Sequence, residues 1–153
     1  ASGHAAAGGE PPVVLGIGPE AGALADIGDA AVRARRALDA GRRLDPSSWV
    51  HDDRDVGLLA ILDAHPAEAA AFRDLHLGPL LGDGRHRDLL VTLQAVVSTG
   101  GLTDAAARLG VHRHTVVYRL SRLRDILEVD LDDSLVRHRL WLALQLHRLA
   151  GAG

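Results

Sequence analysis

The sequence predicts a mainly α-helical protein of the α+β class, in which a short βαβ-like segment precedes a longer helical domain. Hydrophobic residues make up 47% of the 153 residues but aromatic residues only 3%, so the core must be built from Leu, Val, Ala and Ile. Ala favours helices more than any other residue. Apolar residues also recur at steps of three and four along the C-terminal half, which is the period of an amphipathic helix. Together these observations disfavour an all-β sandwich.

Composition excludes several kinds of site and segment. The chain has no Cys, which excludes disulfides and thiolate metal sites. Its longest apolar runs, such as LWLALQL, are far shorter than the ~20 residues that span a bilayer, so we expect a soluble, cytoplasmic protein without a membrane segment. The chain also has no Met, so we expect a C-terminal piece of a longer protein, with a sensor domain upstream and residues 1–11 as a disordered leader.

The βαβ-like segment begins with VVLGIG, residues 13–18, a short β-branched run bounded by Gly-Pro that predicts a buried strand. DIGDAAVRARRALDAG predicts a helix that ends at Gly41, and SSWVHDD predicts a second strand. Asp55 is expected to cap the next helix, which stops before Pro66 because the residue preceding a proline avoids the α region. Pro66 then opens a further helix.

Four more helices are predicted after residue 84. Their sequences are RHRDLLVTLQAVVSTGG, LTDAAARLG with Thr103 as its N-cap, VHRHTVVYRLSRLRDILE, and DDSLVRHRLWLALQLHRLA. LGDG, residues 81–84, indicates a turn between two domains, which we place at residues 12–81 and 82–153. The last helix has almost no polar side, which indicates burial in its own domain, a dimer contact, or both; we expect a homodimer through this helix.

The stretch AARLGVHRHTVVYRL has the length pattern of a helix-turn-helix, because a short helix, a turn with Gly110 and a longer helix follow one another. Ala106 is small where the two helices would cross closely, and Gly110 supplies the permissive backbone that the turn requires. One apolar stripe of the second helix, with spacing i, i+4, i+7 and i+11, faces the core. It consists of Val116, Leu120, Leu123 and Leu127.

The opposite face of this second helix, about residues 112–127, is then exposed and basic. Residues 108–124 contain 5 Arg and no acidic residue, although the whole chain has a net charge of −3. A recognition helix presents such a face to the major groove of double-stranded DNA. We predict base contacts from Arg113, His114, Val117, Tyr118 and Ser121. We predict contacts with the DNA backbone from Thr103, Arg108, His112, Thr115, Arg119, Arg122 and Arg124.

The same stretch resembles the C-terminal helix-turn-helix of the PucR/CdaR family of bacterial transcription regulators, which is similar to the Fis-type fold. The family pattern is approximately A-A-x-x-L-x-V-H-R-N-T-L-x-Y-R-L, and the resemblance covers residues 84–149. The matching residues include Ala106, Ala107, Val111, His112, Arg113, Thr115, Tyr118, Arg119 and Leu120. His114 and Val117 depart from the pattern, so a base preference different from that of relatives is expected. The resemblance implies a sequence-specific, DNA-binding transcriptional regulator.

A weaker resemblance covers residues 13–81. Their strand, helix and strand are similar to the end of the degenerate GGDEF-like domain that precedes the helix-turn-helix in this family. The resemblance implies that residues 12–81 are part of such a domain. GGE, residues 8–10, is not followed by the acidic-aromatic pair of an active cyclase, so cyclase activity is not expected.

Other kinds of site are disfavoured by spacing. His112 and His114 stand two residues apart, so they point in different directions on a helix, and no third ligand is spaced nearby; we expect no metal, and a local hydrogen bond from His112 at the helix start. GIGPEAG has the spacing GxGxxxG and is interrupted by Pro19, which disfavours a nucleotide site. No Ser, His and Asp are spaced as a nucleophilic triad, so neither enzyme activity nor a cofactor is expected.

The alternative function is a protein–protein dimerisation or effector-coupling module that has lost DNA binding. Val117, an apolar residue within the groove-facing set, keeps this alternative open. Salt separates the two functions, because phosphate contacts make DNA affinity fall steeply as salt is raised.

Overall fold

The computed structural model describes residues 13–82, 84–99 and 101–151, and the predicted leader at residues 1–11 lies outside them. The chain divides into two compact units, which we call unit 1 (residues 1–65 and 148–153) and unit 2 (residues 66–147). Unit 1 contains β1 (Leu15–Ile17), a 3-10 turn (Leu24–Asp26), α1 (Ile27–Leu44), β2 (Val50–Asp52) and α2 (Asp53–Asp63). Unit 2 contains α3 (Pro66–Leu77), a 3-10 turn (Gly78–Leu80), α4 (Arg87–Thr99), α5 (Leu102–Leu109), α6 (Arg113–Leu127) and most of α7 (Ser134–Gly151). The described residues are mainly helical, which confirms the predicted fold class.

The two strands of unit 1 form a parallel pair, and α1 connects them, which confirms the predicted βαβ arrangement. The prediction that the first strand is buried is wrong, because Leu15 is 55% and Ile17 44% exposed. The register pairs Leu15 with Val50, Gly16 with His51 and Ile17 with Asp52. Parallel strands require a crossover connection because the chain must return to the same end of the sheet before the second strand starts. In unit 1 this connection is the 18-residue helix α1.

Two glycines let α1 lie directly on β1. Gly16 and Gly18 are two residues apart, and alternate residues of an extended chain point to the same face. A Cβ atom on Gly16 would collide with the carbonyl oxygen of Ala34, and one on Gly18 with that of Ala30. The two glycines of LGIG therefore permit contact between the backbones of the strand and the helix. A larger residue at either glycine position would prevent this contact.

Two sequence predictions for unit 1 are wrong at helix ends. Gly41 does not end α1: it is buried inside the helix, which continues to Leu44, and a Cβ atom at Gly41 would collide with the ring of His51 on β2. Asp55 does not cap α2 either. The helix starts directly after β2, so Asp52 is its N-cap and accepts a hydrogen bond from the Arg54 N–H at 2.9 Å.

The core of unit 2 receives aliphatic side chains from each of its helices. Leu77 of α3, Leu93 of α4, Ala105 of α5, Leu123 of α6 and Leu144 of α7 all belong to it, and each is at most 2% exposed. Because α3 packs into this core, the two units divide between residues 65 and 66, whereas the sequence places its domain boundary at residues 81–84. The assignment of residues 12–81 and 82–153 to two domains stays a prediction.

Helix α7 carries so many apolar side chains because most of them are buried within the chain. Leu140, Ala143 and Leu146 are at most 4% exposed, whereas Leu135 is 63% and Trp141 36% exposed. This burial accounts for the apolar character from which the sequence predicts a homodimer, and the dimer itself stays a prediction. Neither α7 nor another helix in the described ranges is long and apolar enough to cross a membrane.

Two half-buried histidines of unit 2 are held in an environment that disfavours their charged form. Burial and then the positive charge of Arg139 lower the pKa of His76, whose ring meets the edge of Phe72 with 4.5 Å between centroids. Burial and then the charge of Arg73 lower the pKa of His147. Both rings therefore favour neutrality in the folded chain.

We expect Gly16→Ala to lower the free energy of unfolding by about 1–3 kcal/mol, because the added methyl group must displace the backbone of α1. Urea unfolding followed by circular dichroism measures the change. Gly28→Ala is the matched control, since no atom lies within 4 Å of a Cβ there. As Gly28 is in α1, that variant should be neutral or more stable by about 0.5–1 kcal/mol. Equal effects of the two substitutions would contradict the close packing of β1 on α1.

We expect acid to destabilise unit 2 through His76 and His147. Their pKa values lie below the ordinary value of 6.5 when folded, so the unfolded chain takes up protons first as the pH falls through that value. Their contribution to stability is thus present above pH 6.5 and is lost as the pH drops through the folded-state pKa values. Thermal unfolding between pH 8 and pH 5 should show a smaller loss for the double variant His76→Gln/His147→Gln than for the unsubstituted chain, and an identical loss would refute this account.

Candidate nucleic-acid interface

Helices α5 and α6 are joined by a turn whose geometry depends on Gly110. This residue has a left-handed backbone with φ of 63°, and its N–H donates to the carbonyl of Ala107 at 3.2 Å. The N–H of Val111 reaches back to the carbonyl of Ala106 at 3.1 Å. This pair of bonds is the Schellman motif, which satisfies the last carbonyls of a helix and favours Gly at the left-handed position. The predicted turn is therefore confirmed.

Helix α5 packs closely against both α4 and α6. Ala105 is 0% and Ala106 6% exposed, so the fully buried positions of α5 carry only methyl groups. Small side chains let helix backbones approach, which agrees with the crossing predicted at Ala106. Helices α4, α5 and α6 thus pack on one another around a shared core.

The first turn of α6 is organised by His112. It is the N-cap, with extended backbone, and its Nδ1 accepts a hydrogen bond from the backbone N–H of His114 at 3.3 Å. This is the local bond that the sequence predicts. The rings of His112 and His114 stack with 5.1 Å between centroids and 25° between planes, because His112 precedes the helix instead of lying on it. Both rings are exposed at the N-terminus of α6.

The inner and outer faces of α6 lie as the periodicity predicts. Val116 and Leu123 are 0% and Leu120 6% exposed, and Leu127 packs partly buried against the same core. On the other side Tyr118 is 63% and Val117 43% exposed. The remaining predicted base-contact residues, Arg113, His114 and Ser121, are also exposed.

The five arginines of this region differ in what they contact. Arg108, Arg113 and Arg122 are exposed to solvent. Arg119 instead turns toward α4, where its Nε lies 3.3 Å from the Asp88 carboxylate and its Nη1 donates to the Thr92 hydroxyl at 3.2 Å.

Arg124 donates from Nη2 to Asp132 at 2.9 Å, in a pair whose two side chains are 39% and 83% exposed. Exposed ion pairs of this kind are worth about 0–1 kcal/mol, so an incoming anion can replace the carboxylate. Neither pair could be predicted from the sequence, since Thr92 lies 27 residues from Arg119 and Asp132 lies 8 residues from Arg124.

The start of α5 differs from its prediction. Helix α5 begins at Leu102 and its N-cap is Gly101, whose carbonyl accepts from the Ala105 N–H at 3.0 Å, so Thr103 is not the N-cap. Thr103 is an exposed residue in the first turn. Thr115, by contrast, is half-buried in the first turn of α6, and its N–H donates to the carbonyl of His112 at 2.9 Å.

The N-terminus of α6 is electrostatically suited to an anion. Unsatisfied N–H groups give the start of a helix a partial positive charge, which acidic side chains in the first turn normally offset. The first turn of α6 has no acidic residue and starts with Arg113. The positive end of the helix, Arg113 and the exposed Arg108 therefore add their fields in one region of unit 2.

These features define a helix-turn-helix protein: a short helix, a Schellman turn on Gly110 and a longer helix with a buried inner stripe and a basic outer face. Comparison with known families gives the same result, because residues 89–146 match the PucR C-terminal helix-turn-helix domain. Residues 89–146 therefore form a helix-turn-helix domain of the PucR family. The family match covers residues 89–146, so the GGDEF-like assignment of residues 12–81 stays a prediction.

Two relatives extend the similarity beyond the helix-turn-helix. The chain is 42% identical over 125 residues to an uncharacterized protein in the pkwA 5′ region of Thermomonospora curvata, which covers 80% of the chain and 66% of that protein. It is 31% identical over 140 residues to the purine catabolism regulatory protein of Bacillus subtilis (strain 168), which covers 90% of the chain and 26% of that protein. The chain thus spans about two thirds and about a quarter of these relatives. No solved structure matches the chain significantly.

Replacing Gly110 tests the turn. Gly110→Ala should lower the free energy of unfolding by about 1 kcal/mol, because an L side chain is disfavoured at positive φ. Apart from the adjoining residues, no atom lies within 4 Å of a Cβ built there, so the loss would report backbone conformation alone. Gly110→Asn should lose less, since Asn tolerates the left-handed region better than Ala. Chemical denaturation of the three proteins measures the order, and an Ala variant as stable as the unsubstituted chain would contradict the left-handed turn.

Proposed function

We propose that this chain is the DNA-binding part of a transcription regulator, with α6 as the recognition helix in the major groove. The observation that carries the proposal is the exposed outer face of α6 on a domain of the PucR helix-turn-helix type. The major groove of B-DNA is about 12 Å wide and admits one α-helix. Burial of the Val116, Leu120 and Leu123 stripe leaves only one face of α6 that can enter it.

Base contacts are proposed for the exposed side chains in the first half of α6. Arg113 stands at the N-terminal end, where recognition helices meet base edges, and a guanidinium can donate two hydrogen bonds to guanine. His114, Tyr118 and Ser121 supply further donors and acceptors. Val117 is 43% exposed, and an apolar side chain in the groove can contact the methyl group of thymine.

Contacts with the DNA backbone are proposed chiefly for the arginines that have no carboxylate partner among the described residues. Arg108 and Arg122 are exposed and can meet phosphates directly. For Arg119 and Arg124, a phosphate would have to compete with Asp88 and Asp132, so we assign these two arginines a smaller share. We assign the remaining contacts with the DNA backbone to three residues of the turn and the first helical turns. They are Thr103, His112 and Thr115.

A homodimer is part of the proposal, because two recognition helices on half-sites one helical turn apart give helix-turn-helix proteins their affinity for palindromic sites. Leu135 on α7 is 63% exposed and is an apolar residue available for such a contact. Sedimentation velocity measures the oligomeric state of the chain with and without the substitution Leu135→Asp. A dimer that dissociates in the variant supports the α7 contact, and an unchanged dimer argues against this contact.

The division between base and phosphate contacts can be tested with DNA selected from a random pool. Arg113→Ala should weaken binding to the selected sequence by about 1–3 kcal/mol and leave non-specific binding nearly unchanged, because it removes base contacts. Arg122→Ala should weaken binding to all sequences alike and reduce the slope of log K against log salt by about 1. Fluorescence anisotropy at several salt concentrations gives both quantities.

Arg36→Ala is the matched control for these variants, since it removes an exposed positive charge from unit 1 without touching the helix-turn-helix. It should leave both affinity and salt slope unchanged. Equal, sequence-independent losses from Arg113→Ala and Arg122→Ala would refute the division of roles. Affinity for DNA that does not depend on salt would refute DNA binding through this face and favour a protein-contact module.

A further inference from the structure

Unit 2 contains a cleft of about 710 Å³ behind the outer face of α6. Four helices and the loop before α7 supply its lining. Its apolar wall includes Val97 of α4, Leu102 of α5, Leu120 of α6 and Trp141 of α7. Small-molecule sites are typically concave, mainly apolar and about 300–1,000 Å³ in volume, with a few polar groups that fix the orientation of the ligand. The cleft has this size and this kind of wall.

The polar groups of the cleft lie at one side and include Arg124, Asp132 and Arg137. Arg124 and Asp132 pair with each other at 2.9 Å, so their charges largely cancel. Arg137 is held differently: its Nη1 donates to two neutral acceptors, the backbone carbonyls of Leu131 at 3.1 Å and Asp132 at 2.7 Å. Within the described ranges, Arg137 forms no ion pair. Its guanidinium is therefore held in place without a carboxylate partner among these residues.

Part of the Arg137 guanidinium remains available to bind a ligand. The two carbonyls occupy Nη1, whereas Nε and Nη2 make no hydrogen bond to the described residues. These two nitrogens form one edge of the planar group, and such an edge matches the two oxygens of a carboxylate. Because the side chain is already anchored, little conformational entropy would be lost on binding.

We propose that this cleft binds a small amphipathic carboxylate with an aromatic or branched aliphatic body. The carboxylate pairs with Arg137, and the apolar body packs against Trp141, Val97 and Leu102. Trp141 is 36% exposed, so a ligand would cover aromatic surface that solvent now reaches. The proposal does not depend on DNA binding, but the cleft shares two residues with the DNA contacts proposed above, Val117 and Arg124.

The test uses 1-naphthylacetate as the anionic probe and 1-naphthylacetamide as its neutral counterpart, titrated calorimetrically into the full chain. The carboxylate should bind at least about tenfold more tightly than the amide, since a charged hydrogen-bonded pair adds about 1.4 kcal/mol or more. Arg137→Gln should abolish that difference by weakening the carboxylate alone. Arg139→Gln, the same change on an exposed residue of α7 outside the cleft, should leave both affinities unchanged.

A second variant, Val97→Phe, tests the apolar wall by filling the cleft. It should weaken both probes by about tenfold or more, while circular dichroism and the melting temperature show that the chain still folds. The proposal is overturned if the carboxylate does not bind at millimolar concentration, if acid and amide bind equally, or if Arg137→Gln and Arg139→Gln act alike. It is also overturned if Val97→Phe turns a dimer into a monomer, because a second copy of the chain would then occupy the cleft.

Discussion

The packing of Val116, Leu120 and Leu123 into the core of unit 2 is the interaction on which the site depends. All three lie on one stripe of α6 and are at most 6% exposed. Burying an aliphatic side chain of this size stabilises a fold by about 1.5–3 kcal/mol, so turning α6 away from the core would cost several times the ~0–1 kcal/mol of an exposed ion pair such as Arg124 with Asp132. Packing and not charge therefore sets the rotation of α6, and with it the identity of the residues that face outward.

The rotation of α6 also divides the arginines into two groups with different uses. Arg113 and Arg122 point away from the core and keep their charges available, whereas Arg119 is used within the fold to join α6 to Asp88 and Thr92 of α4. A run of basic residues in a sequence thus overstates the charge that a partner meets. The positive end of the α6 dipole adds to the charge that a partner meets, because the first turn of α6 has no acidic residue to offset it.

The sequence predicts this site better than it predicts the helix ends. The stripe on α6 was predictable because its period reports directly on which face is buried, and the turn at Gly110 because a left-handed helix end favours Gly. The same rule failed at Gly41, because this glycine lies inside the helix and its missing side chain leaves room for the ring of His51 on β2. Thr103 is not the cap because the extended residue that precedes the helix is Gly101, two positions earlier, which places Thr103 inside the first turn. The partners of Arg119 could not be predicted, since long-range pairs leave no periodic signal.

Tyr118 offers the most direct measurement of the orientation of α6, because it is the chain's 1 tyrosine and lies on the outer face, 63% exposed. Nitration with tetranitromethane, followed by mass spectrometry, reports its accessibility without any substitution. We predict rapid nitration of Tyr118 in the folded chain and strong protection when a saturating DNA duplex selected for binding is present. Slow nitration of the free folded chain, at a rate that rises only on unfolding, would show that Tyr118 is inside the molecule and would contradict the account.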